Sequence, residues 1–202
     1  MTIKLHDYYH SSAAYRVRIA LHYKGLSYEA EQHSKAYEKA CPQELVPSLI
    51  EEHTTLTQSL AILEYIDESH PEPPLLPERP RTRAIVRSLA QLVACDIHPL
   101  NNLRVLQYLK DEMHVTDEQQ KQWYQHWITE GFTALEQRLE KGEVSGRCCF
   151  GDTPTLADLC LIPQVYNANH FQVPMDNYPL INSINTHCLT LEAFQKAQPK
   201  ST

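Results

Sequence analysis

Ser11 and Ser12 stand side by side in "HDYYHSSAAYRVRIAL", where a helical pattern begins. The head of a helix presents unpartnered N–H groups and a partial positive charge, so it favours an anion, and a serine hydroxyl there adds a donor. Donors of this kind stabilise a thiolate and lower the pKa of its thiol. The segment holds no cysteine, so such a thiol would have to arrive on a ligand. Serine is also a favoured N-cap, a role that alone accounts for its presence. Gln58 and Ser59, in "LTQSLAIL", open a second helical pattern. Ser59 with the helix N–H groups would hold a carboxylate, and Gln58 can donate or accept beside it; capping again explains Ser59 alone. In "LVPSL", Val46 precedes Pro47 at a strand entry. A cis bond there would turn the Val46 main chain outward to pair with an extended peptide, whereas an edge proline is the plainer reading. A tripeptide-sized ligand could meet all three places: thiolate at Ser11/Ser12, backbone at Val46, carboxylate at Gln58/Ser59.

The elements that must position these groups follow from periodicity. "IKLHDY" reads as a strand, and a helix runs from about Ser12 to Lys24 and stops at Gly25. "LSYEAE" alternates as a second strand, and "VPSLIEE" and "TTLT" read as two strands joined by a short turn. "SLAILEYIDES" is a helix expected to turn Leu60, Leu63 and Ile66 inward. "HPEPPLLPERP" has five prolines in eleven residues and reads as a linker. Beyond it the strand signal vanishes. Ile85, Leu89, Leu92, Val93, Ile97, Leu100 and Leu103 keep a helical period that Pro99 should kink. A later stripe joins Trp123, Trp127, Ile128, Phe132, Leu135 and Leu139, with Thr116 or Asp117 as its cap. Thr155 and Asp158 form a capping-box pattern before a helix apolar nearly all round, which should be buried. A small sheet with helices therefore precedes a helical bundle, the strands coming first and lying at or near the head-of-helix sites.

Composition narrows the function. The chain has 202 residues, 42% hydrophobic and 21% charged, with only 5 glycines, which disfavours a glycine-cradled nucleotide site. A formal net charge of -7 argues against nucleic acid or an anionic membrane as main partner. No apolar run reaches membrane-spanning length and no secretory core opens the chain, so a cytoplasmic protein is expected. The six cysteines (41, 95, 148, 149, 160, 188) and eleven histidines show no zinc-ligand spacing. They predict reduced packing cysteines and no metal.

Taken in order, "SSAAYRVRIAL", "VPSL", "QSLAILEYI", "CDIHPLNNLRVL", "GDTPTLADLCLIPQV" and "YPLI" resemble the zeta class of glutathione transferases, above all its bacterial maleylacetoacetate and maleylpyruvate isomerases. The resemblance covers nearly the whole chain. It implies an α/β plus all-α architecture: a thioredoxin-like glutathione-binding domain over 1–78, an all-helical domain over 83–202, and a homodimer. It implies glutathione as a nucleophilic cofactor and a dicarboxylate maleyl-keto acid as substrate, turned from cis to trans. By position, Ser11 is the thiolate-contacting serine, and Ser12 and the Ala13 N–H complete its motif. Val46 pairs with the cysteinyl main chain, and Gln58 and Ser59 hold the γ-glutamyl end. His98, Asn102, Leu103 and Arg104 fall where the family's kinked helix reaches glutathione.

The chain also departs from that pattern. Ala13 stands where relatives carry Cys or Thr. His10 stands where they often carry arginine before the serines, and "NANHF" places His170 at the arginine of their "NAxRF" segment. Two permanent cations become two titratable ones, since histidine ionises within the physiological range. His10, His170, Arg16 and Arg104 are the candidates to meet substrate carboxylates. The segment between Glu31 and Pro42 is shorter than usual, and His33 is the one contact to suggest itself there. Other readings of the same resemblance are a generalist transferase or dehalogenase of α-halo acids, and a glutathione-transferase-like binding protein without catalysis.

Overall fold

A computed structural model describes residues 3–32, 45–142 and 146–199. His33 and Cys41 lie outside these residues. The chain divides into two compact units: residues through Leu76 together with those from Leu189 onward, and Pro77–Cys188.

The first unit is built on four strands, β1 (Ile3–Asp7), β2 (Tyr28–Gln32), β3 (Ser48–Glu51) and β4 (Thr54–Thr57), in the order β2-β1-β3-β4. β1 and β2 are parallel, joined through α1 (Ser12–Tyr23), as a parallel pair requires a crossover. Gly25 ends α1 with φ 67, the left-handed stop its sequence predicts. β3 runs antiparallel to both β1 and β4, with His6 opposite Ser48 and Ser48 opposite Thr57. The end of β1, the start of β3 and the end of β4 therefore share one edge of the sheet. α2 (Ser59–Ser69) follows β4 directly. Its buried residues are Ser59, Ile62, Leu63 and Ile66. Ile62 takes the inward place expected for Leu60, which is half-buried. The proline-rich stretch is irregular but does not hang free: Leu75 and Leu76 are buried, and the Leu75 N–H donates to Asp67.

The last residues group differently from the expected division of the chain. Residues from Leu189 on group with the first compact unit, whereas the sequence reading places 83–202 in a helical domain. Helix α8 (Glu192–Ala197) buries Phe194 and Ala197, and its Ala197 carbonyl accepts from Arg18 Nε at 3.0 Å. The Arg18 guanidinium also donates to Asp7 at 2.6 Å and to the Tyr9 carbonyl at 3.1 Å. Burial pushes the Asp7 carboxyl up while Arg18 pulls it back down. Burial leaves the Asp7 carboxyl raised on balance, and removing either partner would leave an uncompensated buried charge, which is costly.

The regular elements among the second unit's described residues are all helical: α3 (Pro80–Gln91), a π-helical turn (Leu92–Ile97), a 3-10 turn (His98–Asn101), α4 (Leu103–Asp111), α5 (Asp117–Glu140), α6 (Leu156–His170) and α7 (Pro179–Cys188). Its core takes Val86, Leu89, Ala90, Val93, Ala94 and Ile97 from the first run, so the stripe is shifted by a residue from that expected through Ile85 and Leu92. Leu103, expected on that stripe, is 62% exposed. On α5 the buried aromatics are Phe132, as expected, and Tyr124, stacked on Phe171, rather than Trp123 or Trp127. Thr116 caps α5 and Thr155 caps α6, each in a complete capping box. α6 is buried along nearly its whole length, as its all-round apolar sequence predicts.

Candidate functional site

Within the first unit the sheet edge gathers three groups. Ser11 is the N-cap of α1: its Oγ accepts the Ala14 N–H at 3.2 Å. The capping reading and the anion-binding reading are compatible, because capping uses the serine oxygen and leaves its proton to donate. Ser12 begins the helix and is buried, as is Ala13, so both bring main-chain N–H groups to the helix head. His10 is exposed and packs edge-on to Tyr8 and Tyr9. The Arg18 bond to the Tyr9 carbonyl holds this loop against α1.

Val46 stands at the same edge, two residues before β3, and its bond to Pro47 is cis. Gln58 and Ser59 follow β4. Gln58 has φ 70 and ψ 112, a conformation that L residues rarely adopt, and its side chain does not cap α2. Strain of this kind collects at ligand sites, where the surrounding structure holds it in place. Ser59, 8% exposed, accepts from Arg16 Nη1 at 3.1 Å. Arg16 itself is only 1% exposed. Arg16, expected among the substrate contacts, stands beside Ser59, enclosed by protein. The sequence signal was available, since Arg16 and Arg18 interrupt an otherwise apolar run and must be satisfied internally.

The second unit holds the remaining expected residues. His98 opens the 3-10 turn that follows the π-helical turn, and is half-buried. Asn102 caps α4 by accepting the Arg104 N–H at 3.1 Å, which leaves the Leu103 and Arg104 side chains exposed. Asn101 donates to the Tyr124 carbonyl at 3.1 Å and Trp123 to the Leu100 carbonyl at 2.9 Å, fixing this segment to α5. His170 is the exposed last residue of α6, edge-on to Phe171. Two positions unforeseen in the sequence matter here. Gly131 on α5 lies so close to Ile97 that a Cβ would fall 2.2 Å from its Cδ1. Cys148, Asp158 and Cys188, far apart in sequence, bring candidate metal-ligand atoms within 4.8 Å of one another. The Asp158 carboxylate is already engaged by the Cys149 N–H, the Thr155 N–H and the Thr155 hydroxyl. Burial pushes the Cys149 thiol well up, and the Cys188 thiol is raised by its bond to Cys148 and by burial. Cys148, Cys149 and Cys188 are all buried.

A mixed four-stranded sheet followed by a helical unit matches the glutathione transferase fold. The model of the glutathione S-transferase N-terminal domain matches residues 5–74. A probable maleylacetoacetate isomerase of Vibrio cholerae is 46% identical, over 100% of this chain and 97% of its own. A holo maleylpyruvate isomerase, described as a zeta-class bacterial glutathione S-transferase, superposes with a TM-score of 0.94 at 41% identity, covering 98% of this chain and 97% of its own. A maleylacetoacetate isomerase of Methylobacterium extorquens, solved with malonate and glutathione bound, gives 0.93 at 39% identity, covering 97% and 96%. The chain belongs to the zeta-class glutathione transferases, with the maleylacetoacetate and maleylpyruvate isomerases.

Proposed function

We propose that the protein is a glutathione-dependent cis–trans isomerase of a maleyl-keto acid, with maleylacetoacetate from tyrosine and phenylalanine breakdown as leading substrate. The observation that carries this reading is the strand register: His6 opposite Ser48 opposite Thr57 brings the segments of Ser11, Val46 and Gln58/Ser59 to one sheet edge. The donor set fits glutathione, with an uncharged hydroxyl and helix N–H groups for a thiolate, main chain for main chain, and a hydroxyl at a helix head for a carboxylate. Bound glutathione supplies a thiolate that adds reversibly to the cis double bond, so that the bond can turn before the thiolate leaves unconsumed.

The residues of the chain divide that work. The Ser11 hydroxyl would donate a hydrogen bond to the thiolate while its oxygen still accepts from the Ala14 N–H, and the head of α1 would add N–H groups. These donors keep the sulfur ionised near neutral pH. Val46 pairs with the cysteinyl main chain, and Gln58 and Ser59 hold the γ-glutamyl carboxylate. His98, Asn102, Leu103 and Arg104 contribute to the rest of the glutathione site. His10 and His170 serve the two carboxylate ends of the substrate. We further read the protein as a cytoplasmic homodimer, which sedimentation and cell fractionation would check; among the described residues no helix is long and apolar enough to cross a membrane.

Maleylacetoacetate turnover with catalytic glutathione tests the assignment directly. Ser11→Ala should lower kcat by about 10- to 100-fold, the value of a hydrogen bond to a charged group. It should leave the glutathione KM nearly unchanged. Wild-type turnover by Ser11→Ala would remove that residue from the chemistry. A protein neither retained on immobilised glutathione nor stabilised by it would be a fold relative with no such activity. Maleylpyruvate is the second substrate to assay, because one of the structural relatives carries that name.

A further inference from the structure

We propose that Arg16 is a positioning residue for the carboxylate end of this site, acting through Ser59. The proposal rests on the glutathione reading above. Ser59 is the first residue of α2, and no side chain caps that helix. Its head therefore keeps N–H groups for a ligand. The Ser59 oxygen accepts from the Arg16 guanidinium at 3.1 Å. A hydroxyl whose oxygen is engaged by a cation has its own proton left to donate, and the cation makes that proton a stronger donor. Arg16 stands four residues after Ser12 on α1, so the helix that presents the Ser11 head also presents this cation. Thus one helix serves both ends of the ligand: its head faces the thiol, and its Arg16 stiffens and polarises the serine that meets the carboxylate. Arginine stays charged at every working pH, so an enclosed guanidinium supplies a constant field toward an anion at the head of α2.

Paired ligands separate this role from a merely structural one. Glutathione is compared with an analogue in which 4-aminobutanoate replaces the γ-glutamyl residue, which deletes the carboxylate and nothing else. Dissociation constants are measured by calorimetry for the wild-type protein, Arg16→Met, Arg16→Lys and Ser59→Ala. The wild type should prefer glutathione to the analogue. Arg16→Met and Ser59→Ala should each lose about 10- to 100-fold in glutathione affinity with little change for the analogue. The double variant should lose no more than either single one, because both act through one contact. In turnover the glutathione KM should rise while kcat at saturation holds. Arg16→Lys, which keeps a charge but lacks the planar fork, should recover part of the preference. Equal weakening of both ligands, or an undiminished preference in Ser59→Ala, would overturn the proposal. Should Arg16→Met not fold, Ser59→Ala and Arg16→Lys still decide it. Failure of the wild-type protein to bind glutathione would instead reject the functional reading itself.

Discussion

At the scale of single residues, the site is a set of polar atoms each used twice. Ser11 caps α1 with its oxygen and keeps its proton, and Ser59 accepts from Arg16 and keeps its own. Gln58 is different, because its backbone at φ 70 and ψ 112 is held against its preference. A non-glycine residue in such a region costs about 1–3 kcal/mol. Gln58→Gly should therefore raise stability by about 1 kcal/mol in urea titration, since glycine adopts the conformation without a Cβ clash. It should also weaken glutathione binding through loss of the side chain. A variant less stable than the parent would show that the local backbone is not strained. The residue types at Ser11, Gln58 and Ser59 were legible in sequence because helix starts carry a strong local signal. The Arg16–Ser59 contact was not, because it spans 43 residues and depends on how α1 packs on α2.

At the scale of elements, periodicity revealed every helix and strand that positions the site, but not how the helix before His98 ends. Pro99 predicts a kink. Its ring would crowd the carbonyl four residues back, at Cys95, and it has no N–H to give. The chain answers by widening to a π-helical turn over Leu92–Ile97 and then tightening over His98–Asn101. Which way a proline-broken helix yields depends on what lies opposite, and here Gly131 supplies the room for Ile97. Gly131→Ala should cost about 1–3 kcal/mol by overpacking. It should also shift glutathione affinity, because Ile97 directly precedes His98. Truncating Ile97 to Ala in the same protein should restore much of the stability, measurable as a double-mutant cycle in thermal unfolding. An additive loss from the two changes would mean that the close approach of Gly131 and Ile97 does not set the turn.

At the scale of the molecule, charge is the property that most needs explaining. The order of strands then helices foretold two units, but only the fold shows the last residues returning to the first one, through the Arg18 contact to Ala197 and the burial of Phe194. No local pattern marks such a return, since α8 reads as one more short helix. The net charge of -7 opposes binding of both glutathione and a dicarboxylate, so cations at the site must outweigh a repulsive background. Two of the expected ones are His10 and His170. On the proposed reading, their charge would give the rate a pH dependence opposite to that of the thiol. Forming the thiolate makes kcat/KM rise with pH, whereas losing imidazolium charge weakens carboxylate binding and makes it fall. On that reading the two opposed trends give a maximum followed by an alkaline decline. His10→Arg combined with His170→Arg fixes both charges, so the alkaline decline should vanish while the acid limb remains. The decline should appear in KM for the dicarboxylate rather than in that for glutathione. A wild-type profile that rises without a break to pH 8 would remove both histidines from substrate binding and leave Arg104 as the cation to test next.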